Sequence, residues 1–186
     1  MARPYSKVAR AKMLGAATEL VLATGVRGFN IDEVARRSGV AKTTIYRHFP
    51  NPNELLVAAL DGATEVPPTP NTGSLRGDLL EFLASVLPIF ANPTVRALSF
   101  EIFAAAIRDP ELRHLYASMM RGRQIPTKTI FDRGLARGEI SPDLDYSSAF
   151  EIIEGPFIIR SLVQPETLDD IDLESLVDRI LVLLKA

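Results

Sequence analysis

The sequence predicts an all-α protein, with a three-helix N-terminal part followed by a C-terminal helical bundle. Three observations support this fold class. Apolar residues recur at the three- and four-residue spacing of a helix over most of the 186 residues. Capping residues precede prolines at Asn92-Pro93 and Asp109-Pro110, which is typical of helix starts. Near the N-terminus, two short amphipathic segments flank Gly39 in the arrangement of a helix-turn-helix.

The first helix is predicted from about Ser6 to Thr24, because Gly25 ends the apolar pattern. A second, shorter helix follows Asn30, whose side chain is placed to cap it, and Glu33 is placed to return the bond as in a capping box. Gly39 then supplies the positive φ that a sharp turn needs. The core stripe of the first helix comprises Met13, Ala17, Leu20 and Val21.

The next segment, residues 42–48, turns one face toward the core and one face away. With Ile45 against the core, a rotation of about 100° per residue brings Ala41 and Phe49 beside it. The opposite face carries hydrogen-bond donors, cations and an aromatic ring, which suit phosphates and base edges in a major groove, although a merely solvated face has the same composition. The predicted DNA contacts are Thr43, Thr44, Tyr46, Arg47 and His48 to bases and phosphates, with Lys42 and Asn30 as phosphate anchors.

Residues 8–56 resemble the DNA-binding domain of the tetracycline-repressor (TetR) family of bacterial regulators. The resemblance rests on the runs from Ile31 to Val40 and from Thr44 to Pro50, followed by Glu54-Leu55-Leu56. It implies a transcriptional repressor that binds a roughly palindromic double-stranded DNA operator as a homodimer. It also implies a small, mainly apolar effector that binds the C-terminal part and releases the operator.

Two positions depart from the family pattern. Ala41 stands where a capping serine is common, and Pro52 stands where a basic residue often contacts a phosphate. Two rival interpretations stay open from the sequence. One is a regulator of the same fold that activates transcription or answers to a protein, and the other is a helical ligand-binding or interaction module that does not read DNA.

The charge distribution favours a protein that touches DNA with one end. The whole chain has a net charge of −2. Residues 1–56 hold nine Lys or Arg against four Asp or Glu, a net charge of +5, and the rest holds twelve against nineteen, a net charge of −7. A basic N-terminal part on an acidic body suits phosphate contact through the N-terminal part alone.

A fourth helix, capped by Asn51 and extending to about residue 63, is expected to connect a DNA-binding domain at 1–56 to a ligand-binding and dimerisation domain at 74–186. The loop 64–74 between them contains three prolines and one glycine. Further helices are predicted at 75–91, 93–108, 110–122, 125–137, 143–163 and 172–185, with Ser141-Pro142 starting the fifth of these, and Gly122 and Pro126 dividing one long helix into two.

Seven of the nine phenylalanines lie in the C-terminal domain. Aromatic stripes at helical spacing are typical of a core, but the family resemblance implies that some of them line an apolar ligand pocket. The pocket candidates are Phe82, Phe90, Phe100, Phe103, Tyr116, Met120, Phe131 and Phe157. The last helix is apolar on more than one face, which predicts a dimer contact shared with the penultimate helix, itself expected to kink at Pro156. The interface candidates are Phe150, Ile153, Leu173, Leu176, Val177, Ile180 and Leu184.

We expect no catalysis, metal or cofactor. The chain has no cysteine, His48 belongs to the predicted DNA face, His114 has no companion, and no phosphate-binding glycine loop or nucleophile motif occurs. The acidic run 166–174 precedes a helix whose dipole favours negative charge, so capping and solvation account for it. No apolar stretch of bilayer length or signal-peptide pattern occurs, so we expect a cytoplasmic protein that does not contact a membrane.

Overall fold

The computed structural model describes residues 7–64, 66–164, 168 and 170–184, and all regular structure among them is helical. The predicted helix ends at Ser6 and Lys185 lie outside the described residues. The helices are α1 Lys7–Thr24, a short 3-10 helix Val26–Gly28, α2 Ile31–Ser38, α3 Lys42–His48, α4 Pro52–Ala63, α5 Leu75–Ala91, α6 Pro93–Ala106, α7 Pro110–Arg123, α8 Ile125–Ala136, α9 Tyr146–Val163 and α10 Leu173–Leu184.

Packing divides the chain into two units that do not follow the order of the sequence. The first unit is Met1–Glu65 together with Ala97–Met119, and the second is Val66–Arg96 together with Met120–Ala186. The sequence predicts domains at 1–56 and 74–186, divided at the proline-rich loop 64–74, and this division stays a prediction. Within the packing units, most of α6 and α7 belong with the N-terminal helices.

The core of the first unit is formed by one face of each of the helices α1 to α4. The four residues predicted as the α1 core stripe are each at most 1% exposed, which confirms that face. Ile31, Val34 and Ile45 are also buried, and they come from both helices of the helix-turn-helix. The remaining members of this core include Leu14, Ala16, Phe49, Leu55 and Ala59.

Most of the predicted helix starts are confirmed by side-chain caps. The Asn51 Oδ1 atom accepts a bond of 3.0 Å from the Glu54 amide, and the Asp109 carboxylate accepts bonds from the amides of Glu111 and Leu112. Asn92 caps α6 in the same way. Pro52 occupies the first position of α4, where its missing N–H costs no hydrogen bond.

The predicted helix start at Ser141-Pro142 is wrong. The Ser141 hydroxyl accepts a bond of 3.4 Å from the Asp143 amide within a turn, and α9 begins only at Tyr146. Asp145 is the cap, because its carboxylate accepts bonds from the next amides along the chain. An ionised carboxylate at this position also interacts favourably with the helix dipole, whereas a serine hydroxyl carries no charge to do so.

In the second unit, α5 packs against α8, α9 and α10 around a buried apolar core. One carboxylate, that of Asp78, is wholly buried there. It accepts bonds from the Thr72 amide at 2.6 Å and the Thr72 hydroxyl at 2.8 Å, and it lies 3.5 Å from an Arg137 nitrogen. These partners offset its desolvation and hold the 66–74 loop onto α5. Helix α9 continues through Pro156, and the kink expected there stays a prediction.

Glu154 is a half-buried carboxylate on α9 that the sequence did not single out. Burial raises the pKa of Glu154 to about 7, and the Arg123 guanidinium opposes this rise. An unfolded chain would ionise this carboxyl near its ordinary pKa of 4.5. The native state therefore binds more protons than the unfolded state between about pH 4.5 and pH 7, and stability falls as the pH rises through this range.

We predict that Glu154→Gln removes this pH dependence. The variant should match the wild type near pH 4.5 and should be more stable at pH 8, by at most about 3 kcal/mol. Urea unfolding at the two pH values measures the difference, and Glu151→Gln, at an exposed position on the same helix, controls for the lost charge. An equal stability difference at both pH values would contradict the account.

Candidate nucleic-acid interface

The helix-turn-helix is held by a cap at its start and a glycine at its turn. The Asn30 Oδ1 atom accepts a bond of 2.8 Å from the Glu33 amide, as predicted, and its Nδ2 atom donates to the Gly28 carbonyl at 3.2 Å. Gly39 has a φ of 68° and ends α2 in the left-handed conformation, which confirms its role in the turn.

The reciprocal half of the predicted capping box is wrong. The Glu33 carboxylate accepts bonds from Arg36 at 2.6 and 2.8 Å and from Arg37 at 2.8 Å instead of reaching back to Asn30. Hydrogen bonds from Arg36 and then Arg37 lower the pKa of Glu33 to about 2. Two charged donors three and four residues along the helix outcompete one neutral backbone amide for this carboxylate.

Helix α3 turns its polar side chains outward because its apolar face is buried. Ile45 is fully buried and Phe49 is 7% exposed, so both side chains anchor the helix as predicted. Ala41 is exposed, contrary to its expected place beside Ile45, because it lies before the first turn as the N-cap residue. We call the exposed side of α3 the donor face: it comprises Lys42, Thr43, Tyr46 and Arg47, with Thr44 and His48 half-buried at its edges.

Lys42 already has an acidic partner. Its ammonium forms an ion pair with the carboxylate of Asp32 in the first turn of α2. The side chains of Lys42 and Asp32 are 52% and 70% exposed, so the pair lies at the surface. Among the predicted phosphate anchors, Lys42 is therefore paired by charge, and Asn30 is engaged in capping α2.

The start of α4, directly after α3, is bonded to the start of α7. Asn51 Nδ2 donates to a Glu111 carboxylate oxygen at 3.1 Å. Asn53 Nδ2 lies 3.0 Å from Asp109 Oδ2 and 3.3 Å from Glu111 Oε2. We call this group the α4–α7 contact. The sequence revealed Asn51 and Asp109 as helix caps, but no local signal showed that the helix starts they cap are bonded to each other.

A second contact joins α6 to the turn after α1. The Glu101 carboxylate accepts a bond of 3.3 Å from the Val26 amide. Gly25, the residue before Val26, has a φ of 69°, and a Cβ atom added to it would stand 3.1 Å from a carboxylate oxygen of Glu101. Helices α6 and α7 thus both touch the DNA-binding helices within the first unit.

The aromatic pocket candidates fall into both units. Phe82, Phe131 and Phe157 lie in the core of the second unit, where the Phe90 ring stacks on that of Phe157 at 5.5 Å. In the first unit, Phe103 and Tyr116 are in ring contact at 6.2 Å between centroids. Phe100 and Phe103 are 55% and 48% exposed, and Tyr116 and Met120 are half-buried. A pocket role for the eight residues stays a prediction.

Four of the interface candidates have side chains that face the protomer's own core. Ile153, Val177, Ile180 and Leu184 are each at most 2% exposed. Phe150, Leu173 and Leu176 are half-buried. Other apolar residues of α9 and α10, among them Ile159, Val163 and Leu183, are exposed. A groove of about 300 Å³ lies along the two helices, and two of the candidates, Leu176 and Ile180, contribute to its lining. Ile152, Pro156, Arg160, Ile171, Asp172, Leu176, Arg179, Ile180 and Leu183 line the groove.

The described residues contain no group of three or more acidic or histidine side chains that could hold a metal ion. Glu166 and Asp169 of the acidic run lie outside the described residues. Among the described helices, none is by itself long and apolar enough to cross a membrane. Helices α5 and α6 reach that length only as a bent pair.

A helix-turn-helix with a buried apolar face and an outward donor face, followed in the sequence by further helices, defines a DNA-binding transcriptional regulator. Residues 13–59 match the family model described as bacterial regulatory proteins, tetR family. Residues 69–180 match the model described as Tetracyclin repressor-like, C-terminal domain. The chain therefore belongs to the TetR family of helix-turn-helix transcriptional regulators.

Relatives of similar length support this assignment. The DNA-binding transcriptional repressor TetR of Mycobacteroides abscessus is 32% identical, over 94% of this chain and 92% of that protein. An uncharacterized HTH-type regulator, YdeS, of Bacillus subtilis is 28% identical, over 90% of this chain and 85% of its own. The solved structure of the TetR family regulator SCO0332 has a TM-score of 0.69 at 28% identity and covers 95% of this chain and 98% of that one.

We predict that Asn53→Ala weakens the first unit by about 1 kcal/mol, because it removes bonds to two carboxylates at a partly exposed site. Asn53→Asp should cost more, since a third carboxylate would then face those of Asp109 and Glu111. Urea unfolding compares the two variants with the wild type. An Asn53→Asp protein as stable as the wild type would contradict the α4–α7 contact.

Proposed function

We propose that the protein is a repressor that binds a roughly palindromic operator as a homodimer and leaves it when a small, mainly apolar effector binds the C-terminal part. Its activity is binding and not catalysis, and it acts on DNA in the cytoplasm. The donor face of α3 is the observation that carries this proposal. A repressor among the relatives, at 32% identity over 94% of this chain, supports the sign of regulation.

The donor face supplies the chemistry that operator reading needs. Arg47 is an exposed guanidinium on a helix whose opposite side is anchored by Ile45. Arginine donates two parallel bonds to a guanine edge, whereas threonine hydroxyls and a tyrosine ring serve other base edges, methyl groups and phosphates. Thr43, Thr44, Tyr46, Arg47 and His48 are the proposed base and phosphate contacts, with Asn30 next to the phosphates. Lys42, the other predicted phosphate anchor, is paired with Asp32.

The outer sides of α9 and α10 are the proposed dimer surface. Ile159 and Val163 on α9 are 57% and 66% exposed, and Leu183 on α10 is 51% exposed. Large apolar side chains grouped at this level of exposure are typical of an interface. The groove between the helices also holds both signs of charge, Arg160 and Arg179 with Asp172, and a surface that meets its own copy must be self-complementary. To read a palindromic operator, the two α3 helices of such a dimer must lie about 34–36 Å apart, in successive major grooves.

The α4–α7 contact is the proposed route from effector to operator. Helix α4 follows α3 after three residues, so a displacement of α4 also displaces the donor face. The bonds of Asn51 and Asn53 attach α4 to the first turn of α7, which belongs to the effector-binding part in sequence. An effector that favours a different position of α7 therefore opposes operator binding, with a coupling free energy of about 1–3 kcal/mol.

Arg47→Ala tests operator reading. The variant should bind DNA from upstream of its own gene at least tenfold more weakly, with much of its preference over scrambled DNA lost, because a bidentate base contact is removed. Fluorescence anisotropy measures both affinities. Arg121→Ala, at an exposed arginine of the second unit, is the matched control and should bind like the wild type. Full preference in Arg47→Ala would show that Arg47 is not a base contact, whereas a wild-type protein without any preference would favour the alternative of a module that does not read DNA.

Leu183→Glu tests the dimer surface. A charge buried against a partner copy is strongly unfavourable, so the variant should be a folded monomer at concentrations where the wild type is a dimer. Light scattering after size-exclusion chromatography gives the mass of each. Val8→Glu, at a similarly exposed apolar residue of α1, should stay dimeric. A dimeric Leu183→Glu protein would place the interface elsewhere.

A further inference from the structure

The ion pair between Asp32 and Lys42 joins the two helices of the helix-turn-helix at their N-terminal ends. Asp32 lies in the first turn of α2 and Lys42 is the first residue of α3. Both side chains are more than half exposed. Because Lys42 belongs to the donor face, one cation of that face is already balanced by a carboxylate of the same protein.

The neighbouring acid, Glu33, has a different role. Its oxygens bind Arg36 and Arg37 at 2.6–2.8 Å along α2, so the charges of these two arginines are balanced within their own helix. Asp32 is the carboxylate that the described contacts join to the donor face. The two adjacent acids therefore have different roles. Glu33 stabilises α2, and Asp32 binds Lys42, a cation that the sequence predicts to reach DNA.

An ammonium shared with a carboxylate contributes little to phosphate binding. A phosphate that takes Lys42 must displace Asp32 and leave that carboxylate uncompensated beside a polyanion. The exposed pair is itself weak, so the cost of transferring Lys42 to a phosphate lies mainly in the free carboxylate left beside the DNA. Whether Lys42 binds a phosphate can be measured from the salt dependence of DNA affinity. Each phosphate neutralised by a cation adds about 0.9 to the steepness of log affinity against log salt concentration.

We propose that Asp32 is an intramolecular competitor that keeps Lys42 from the DNA phosphates and so lowers affinity for every DNA sequence. This inference rests on the proposed function, since it requires the donor face to meet duplex DNA. Because Asp32 pairs with Lys42, the number of DNA phosphates that the donor face neutralises is one lower than the number of its cations. Asp32 acts on the phosphate part of binding, which is independent of sequence, and leaves base reading to Arg47 and its neighbours.

The test compares four proteins on a scrambled DNA duplex across a salt series: wild type, Asp32→Asn, Lys42→Ala and the double variant. Asp32→Asn should steepen the salt slope by about 0.9, so that its affinity advantage over the wild type shrinks about threefold between 50 and 200 mM salt. Lys42→Ala alone should change the slope little. In the Asp32→Asn background, Lys42→Ala should return the slope to that of the wild type.

Two controls separate this effect from others. Glu19→Gln removes one exposed negative charge from α1 and should leave the slope unchanged, since Glu19 joins none of the described ion pairs. Thermal unfolding shows whether Asp32→Asn keeps its fold, because Asp32 also lies at a helix N-terminus, where a negative charge is stabilising.

The outcomes are distinct. A lower slope in Lys42→Ala alone would show that Lys42 already neutralises a phosphate, and it would overturn the inference. An unchanged slope in Asp32→Asn would overturn it as well. In both cases binding itself persists, and the preference for upstream DNA, measured in parallel, still reports on operator reading. Loss of DNA binding by all four proteins at low salt would instead overturn the proposed function, and this inference with it.

Discussion

The position of α3 depends on the burial of Ile45, with Phe49 at the following turn. A helix of seven residues is far too short to be stable alone, so its conformation comes from the core that it covers. Burial on one side determines which side chains point outward, and these are the ones with donors and charge. The apolar contacts of the first unit thus orient the donor face. The Asn30 cap fixes the start of α2, and the left-handed conformation of Gly39 turns the chain from α2 into α3.

Acidic side chains of the helix-turn-helix balance part of its positive charge. The residues up to Leu56 carry a net charge of +5, yet Glu33 and Asp32 engage three of their cations. The remaining positive charge attracts phosphates, while base contacts must supply preference for one sequence. A regulator that must also leave its operator needs an affinity that a modest coupling free energy can overcome. We propose that cations paired within the protein and the bonds between α4 and α7 both meet that requirement.

Local signals in the sequence predicted much of this structure, and contacts between distant residues account for what it missed. The α1 core stripe, the Asn51 and Asp109 caps and the turn at Gly39 depend on neighbours within a few residues. The sequence predicts the start of α9 too early, at Ser141-Pro142, because it does not show that Asp145 is the cap. The sequence does not distinguish the exposed apolar side of α10 from its buried side. Periodicity shows that both sides are apolar, but it does not show which of them packs against the core of the same chain. The α4–α7 contact joins residues about sixty positions apart, which no local pattern reveals.

The most direct test of the central claim is fluorescence anisotropy of the purified protein on DNA from upstream of its own gene, compared with scrambled DNA across a salt series. The account predicts tight binding to the upstream DNA, a preference of roughly a thousandfold or more over scrambled DNA, and a steep loss of affinity with salt on both. Equal affinity for the two DNAs at every salt concentration would contradict sequence-specific reading by α3.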